Sequence, residues 1–188
     1  MEPSIIAIAG RSGSGKTTFL EKLIPVLKGR GYRTGILKHA HCGFVMDKEG
    51  KDSWRHKNAG ATATLVISPG AIALVKDKEY ASIEEVKHYL SDMDIIIVEG
   101  FKHANLPKLE IFRTAAGHGT PLFLDDRNLV GFITDSAYRP DVPIFDLDDV
   151  DMVSDFIEEM YIHRERCILD RGVYLERNVC SLNPHGRE

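Results

Sequence analysis

Gly10-Arg11-Ser12-Gly13-Ser14-Gly15-Lys16-Thr17 fulfils the pattern G-x-x-x-x-G-K-[ST] at every position. Gly10, Gly13 and Gly15 free the backbone for conformations that turn successive N–H groups toward one point. A nest of donors at the start of a helix, whose dipole presents about half a positive charge, is a receptacle for phosphate. Lys16 has the reach to meet the β- and γ-phosphates of a nucleoside triphosphate. The Thr17 hydroxyl is a hard oxygen suited to Mg²⁺, and Thr18 follows it toward the α-phosphate. The expected phosphate set is therefore Gly10, Ser12, Gly13, Ser14, Gly15, Lys16, Thr17 and Thr18.

Two carboxylates are candidates for the chemistry. Asp94-Ile95-Ile96-Ile97-Val98-Glu99-Gly100 reads as a buried strand that delivers Glu99 to its carboxyl end, where ligands gather in a parallel sheet. Glu99 there would hold Mg²⁺ through water or orient an attacking water. A merely solvated strand-end carboxylate is the plain alternative. Asp52 follows Lys51 in a polar stretch placed where switch loops of phosphate-binding proteins lie. Asp52 would reach Mg²⁺ or water and Lys51 the phosphate charge, or Asp52-Ser53 would simply begin a helix. His39, His41 and Cys42 suggest a zinc or nickel site, although three near-adjacent ligands lack the usual second pair. Surface histidines are the plain alternative.

These groups need a scaffold. Ser4 to Ala9 is a short apolar strand, and Leu20, Leu23, Ile24 and Leu27 then fall at helical spacing. Pro25 interrupts that helix, and Gly29 and Gly31 end it. Thr34 to Lys38 is a second strand. Ala63 to Ile67 and Ala71 to Lys76 flank Ser68-Pro69-Gly70, a hairpin signature. Ser82 and Glu85 form a capping box before a helix with Ile83, Val86 and Leu90 on its buried stripe. Lys108 to Phe112 and Leu129 to Thr134 are further strands, and Val150, Val153, Ile157 and Met160 mark a closing helix. Strands alternating with helices imply an α/β fold, a doubly wound and mainly parallel sheet to which the hairpin adds antiparallel strands. One domain over residues 1–163 and an extension over 164–188 are expected.

The chain has 188 residues, 43% hydrophobic and 28% charged, enough for one core without staples. A net charge of −4 offers no basic field for nucleic acid. Cys42, Cys167 and Cys180 are odd in number and widely spaced, which favours a reducing cytoplasm over a disulfide framework. The first residues lack a basic n-region, so no signal peptide is expected, and no apolar run is long enough to span a bilayer.

Five segments together resemble one family. They are Gly10 to Thr18, Lys38-His39-Ala40-His41, Asp47 to Ser53, Ala59-Gly60-Ala61, and Val98-Glu99-Gly100-Phe101-Lys102, in that order. The family is the GTP-binding accessory (adaptor) protein B of molybdopterin-guanine dinucleotide biosynthesis, MobB. The resemblance spans roughly residues 4–162. It implies a P-loop NTPase-like doubly wound fold, GTP with Mg²⁺, weak GTPase activity and a homodimer. It also implies a partnership with the molybdenum cofactor guanylyltransferase, and leaves molybdopterin itself as a candidate ligand. This chain has His41-Cys42 where the family commonly carries two histidines.

No Asn-Lys-x-Asp or Thr-Lys-x-Asp guanine signature is present. Asp135, at the end of a late strand near the expected base pocket, would accept from guanine N1 and N2, unless it only caps a turn. Two other readings stay open. A small-molecule kinase would need an arginine-rich lid, whereas Arg113, Arg127 and Arg139 are scattered. A nucleotide-gated metallochaperone would use His39, His41 and Cys42; separately, His163, Cys167, Cys180 and His185 offer metal-ligand types at a spacing that matches no known finger.

Overall fold

The computed structural model describes residues 2–40, 43–78 and 82–163. Strands β1 (Ser4–Ala9), β2 (Thr34–Lys38), β3 (Ala63–Ser68), β4 (Ala71–Lys76), β5 (Ile95–Glu99), β6 (Lys108–Phe112) and β7 (Leu129–Thr134) all match sequence expectations within a residue. A two-residue strand, β8 (Ile144–Phe145), is too short to leave a pattern in the sequence. The helices are α1 (Lys16–Gly29), α2 (Asp52–Asn58), α3 (Ile83–Tyr89) and α4 (Val150–Ile157).

Six strands form a parallel sheet in the order β2-β5-β1-β6-β7-β8. Alternation along the strands sends side chains to two faces. Ile6, Ile8, Ile95 and Ile97 pack with Leu20, Leu23 and Leu27 of α1 and Val153 and Ile157 of α4. Ala7, Ile96 and Val98 join a smaller cluster that half-buried Ile83 of α3 and the following Leu90 also cover. Helices on both faces explain why β5 is apolar at successive positions and wholly buried. Each fully buried isoleucine there contributes roughly 1.5–3 kcal/mol relative to exposure.

Local chemistry sets the helix ends. After α1, Gly31 takes φ 91°, so that Tyr32 N–H reaches Leu27 O at 3.1 Å and Gly31 N–H reaches Lys28 O at 3.0 Å. Ser82 Oγ accepts from Glu85 N–H at 3.2 Å, the cap expected for α3. α4 departs from expectation. It passes into a π-helical turn at Glu158–Ile162, which rotates the chain so that Ile162 is buried and Met160 is exposed.

The hairpin also differs. β3 and β4 pair only with each other, as a two-stranded sheet separate from the parallel one. Turn chemistry predicts the hairpin but not its docking: β3 lies against α2, and much of the hairpin's apolar surface stays exposed among the described residues. One face carries the paired residues Leu65↔Leu74 and Ile67↔Ile72, exposed by 57%, 44%, 68% and 71%.

The chain runs from β1 out to β2, returns through β5, and then crosses β1 to β6. The strand order therefore reverses at β1, and a crevice opens at its carboxyl end.

Candidate functional site

Gly10 leaves β1 at φ 139°, and a Cβ on it would stand 2.5 Å from Ile111 O of β6. No side chain fits between those backbones, so the loop enters the crevice only with glycine. Gly15 is the N-cap of α1 and offers no side-chain cap, which leaves first-turn N–H groups for an outside acceptor. Ser14 Oγ is buried with no protein partner. An orphaned hydroxyl beneath a ring of amides suits a phosphate oxygen or its bound water. The other predicted phosphate contacts, Gly10, Ser12, Gly13, Gly15, Lys16, Thr17 and Thr18, line one end of a common cleft.

Lys16 Nζ donates to Arg11 O at 2.6 Å and to Gly10 O at 3.2 Å, folded back on its own loop. Burial pushes its ammonium below the usual lysine value; Glu99 opposes that shift, while Lys102 and Lys38 reinforce it. The negative charge of a polyphosphate would offset both the desolvation and the like-charge crowding.

Glu99 is nearly buried at the end of β5, and Thr17 Oγ1 donates to its Oε1 at 2.8 Å. A hydroxyl and a carboxylate that close form the hard-oxygen donor set Mg²⁺ prefers, so Thr17 and Glu99 fit that ion. Lys38 Nζ stands 3.3 Å from Glu99 Oε2. Parallel register aligns Lys38 of β2 with Glu99 of β5, which brings the pair together. Sequence reasoning gave Lys38 no role. The available signal was a charge at a carboxyl strand end, the same signal that singled out Glu99.

Lys51 and Asp52 do not join this group. Lys51 is the N-cap of α2, and Asp52 is an exposed first-turn residue 3.6 Å from Arg55. Neither lines the cleft. A role at the γ-phosphate would require the segment between β2 and α2 to move inward. His39 does line the cleft, its ring edge-on to Phe101 at 4.7 Å. His41, Cys42, Cys167, Cys180 and His185 lie outside the described residues, among which no cluster of three metal-ligating groups occurs. His163 instead lies 3.1 Å from Tyr32 Oη and 3.7 Å from Glu158.

Asp135 accepts from Thr114 N–H at 2.7 Å, which holds its carboxyl below the usual range. It therefore fixes the turn after β6, and it also lines a second cavity of about 530 Å³ with Thr114, Ser136, Tyr138 and Phe112. A carboxylate offers about four acceptor positions, so the turn does not exhaust it. The loop between this cavity and the phosphate loop is held from both ends. His118 Nε2 lies 2.7 Å from Ser12 O, and Tyr138 Oη donates to Gly119 O at 3.2 Å. Buried Glu110 of β6 accepts from Leu122 N–H at 2.6 Å and Phe123 N–H at 3.0 Å. Burial raises the Glu110 carboxyl above its ordinary value against the pull of those two bonds. Glu110, absent from the sequence candidates, thus anchors the loop that flanks the site.

A sequence profile described as Molybdopterin guanine dinucleotide synthesis protein B matches residues 5–135. The molybdopterin-guanine dinucleotide biosynthesis adapter protein of Escherichia coli is 39% identical over 160 residues, covering 82% of this chain and 91% of that protein. Its counterpart in Haemophilus influenzae is 34% identical over 170 residues, covering 85% and 90%. The crystal structure of Bacillus subtilis MobB superposes with a TM-score of 0.68 at 28% identity, covering 84% of this chain and 98% of that one. The profile match runs from β1, through the phosphate loop and Glu99, to Asp135, and on that ground the chain belongs to the MobB family of molybdopterin-guanine dinucleotide biosynthesis adapter proteins.

Proposed function

We propose that this protein is a cytoplasmic, GTP-binding adapter with slow GTPase activity, assisting the guanylyltransferase that joins GMP to molybdopterin. The observation that carries this reading is the cleft at the switch point of the sheet. There an uncapped helix start, Lys16, and the Thr17–Glu99 pair converge. In this reading the loop amides grip the β- and γ-phosphates, and Lys16 exchanges its carbonyl partners for phosphate oxygens. Thr17 and Glu99 hold Mg²⁺, which supplies charge neutralisation of the phosphates. Glu99 orients water. Lys51 and Asp52 do not line the cleft in their observed positions, and in this reading the turnover is far below the enzyme median of ~10 per second.

The base extends past β6 toward Asp135, whose carboxylate accepts from guanine N1 and N2 and repels the acceptor N1 of adenine. Calorimetry with each nucleotide and Mg²⁺ tests this. GTP is expected to bind at least tenfold tighter than ATP, about 1.4 kcal/mol. Equal affinities would remove the base assignment.

A second copy of the chain covers the hairpin in this reading. A lone two-stranded hairpin is marginal in water, and the four exposed residues on one face of β3–β4 form a paired apolar surface. Ile67→Asp should convert a dimer to a monomer in sedimentation velocity; an unchanged dimer would place the interface elsewhere. Molybdopterin and the guanylyltransferase are the remaining partners of this reading; the names of the relatives support only an adapter role in molybdopterin-guanine dinucleotide biosynthesis.

A further inference from the structure

We propose that His118 is a positioning residue for nucleotide binding: through a strap formed by residues 117–123 it fixes the spacing between the phosphate loop and the base cavity. The inference rests on the nucleotide reading above and assigns that site a residue outside its motif.

β6 and β7 are parallel neighbours, and such strands are usually joined by a helix. Here the connection, residues 113–128, holds only the 3₁₀ turn Thr114–Ala116. A helix satisfies most of its own amides and carbonyls, whereas an irregular segment must find other partners for them. Two buried charges of β6 meet part of that need. Glu110 accepts from Leu122 and Phe123 N–H. Lys108 Nζ donates to Asp126 at 2.7 Å and lies 4.7 Å from the centre of the Phe123 ring, which packs with Ala9 and Leu129. The far end of the strap is thereby anchored on the sheet.

An irregular backbone also leaves carbonyls free to bond sideways, and the strap uses them toward both halves of the site. Tyr138 Oη donates to Gly119 O on the base side. Arg11 Nε donates to Thr120 O at 3.4 Å on the phosphate side. Between these ties His118 Nε2 meets Ser12 O. A carbonyl only accepts, so Nε2 carries the proton in that bond. Gly117 and Gly119, at φ 68° and 67°, turn the chain on either side of His118 and line the base cavity with Asp135. Residues 117–120 therefore touch both the wall of the base cavity and the phosphate loop.

The phosphate loop already closes on itself, through Ser14 N–H to Arg11 O at 3.3 Å and through Lys16 to the carbonyls of Gly10 and Arg11. What His118 adds is a fixed position relative to the base cavity. Two subsites held at a set separation bind a ligand that spans them better than either of its halves, because the ordering is done before the ligand arrives. With the strap untied, the loop still grips a triphosphate, but out of register with the base.

The test measures a non-hydrolysable GTP analogue and inorganic tripolyphosphate, each with Mg²⁺, by calorimetry on the full chain. Tripolyphosphate engages the phosphate loop alone. His118→Ala should weaken the analogue about tenfold, the scale of one hydrogen bond, and tripolyphosphate by less than about twofold. His118→Gln, which returns an N–H donor at similar reach, should restore most of the loss. Tyr138→Phe unties the other end and should weaken the analogue to a similar extent. The double variant should lose little more than either single one, since one cut already frees the strap. Equal loss of analogue and tripolyphosphate affinity in His118→Ala would overturn the proposal, by making the histidine a prop of the phosphate loop. Unchanged analogue affinity, no rescue by glutamine, or fully additive losses in the double variant would overturn it as well. In each of these cases binding of the analogue to the wild type leaves the nucleotide reading standing. Failure of the wild type to bind the analogue would overturn both.

Discussion

Lys16→Ala should abolish measurable GTP binding while leaving the protein folded. Lys16 is the sole ammonium inside the phosphate loop, held 2.6 Å from Arg11 O and 3.2 Å from Gly10 O. A unit charge about 4 Å from phosphate contributes up to about 4 kcal/mol at an effective dielectric of 20, or roughly a thousandfold in affinity. The fold loses less. The variant gives up two bonds to carbonyls, each net about 0.5–1.5 kcal/mol or somewhat more for a charged donor. It also removes an ammonium that burial and neighbouring Lys102 and Lys38 disfavour. These effects oppose each other, and thermal unfolding should shift by only a few degrees.

The same lysine gives the binding reaction a pH signature. In the free protein its value lies below the ordinary lysine range, chiefly through burial. Phosphate favours the charged form and raises it. Between the two values the complex holds more protons than the free protein. Binding therefore draws a proton from solution, and affinity falls as pH rises through the free-state value. Calorimetry at alkaline pH in two buffers of different ionisation heat should detect that uptake in the wild type. Unchanged GTP affinity in Lys16→Ala, measured beside it, would remove the phosphate assignment.

Much of this site is legible in the sequence because its determinants are local. Gly10, Gly13 and Gly15 specify a backbone path that only glycine follows cheaply, and all three take positive φ. The apolar run before Glu99 announces a strand covered on both faces, so its terminal carboxylate had to emerge at the ligand edge. What the sequence hid depends on register and on long-range placement. Lys38 meets Glu99 through alignment of β2 with β5, which residue types alone do not reveal. Lys51 and Asp52 matched a motif yet lie beyond the cleft, because motif spacing does not fix how far a long loop swings. The hairpin signature was read correctly, but among the described residues its strands pair only with each other, which turn chemistry does not reveal. Met160 lost its predicted burial to a single π-helical turn, which helical periodicity cannot anticipate.

Glu99→Gln should cut GTP hydrolysis by about a hundredfold or more and change GTP affinity by only a few fold. Glutamine keeps the length of the side chain and one acceptor, so the bond from Thr17 Oγ1, now 2.8 Å, can survive. It removes the negative charge that faces Lys38 at 3.3 Å and that would orient and polarise water. Groups that act on a proton in the transition state contribute typically 10²–10⁴-fold. Ground-state binding responds to two opposed changes. Attraction for Mg²⁺ weakens, and repulsion between the carboxylate and the triphosphate disappears with it. Phosphate release and calorimetry on the same preparation separate the outcomes. Comparable losses in turnover and affinity would mean that Glu99 only holds Mg²⁺ in the ground state, with water positioned elsewhere. A selective loss of turnover places Glu99 at the reacting water, because only an interaction made in the transition state lowers the rate without loosening the complex.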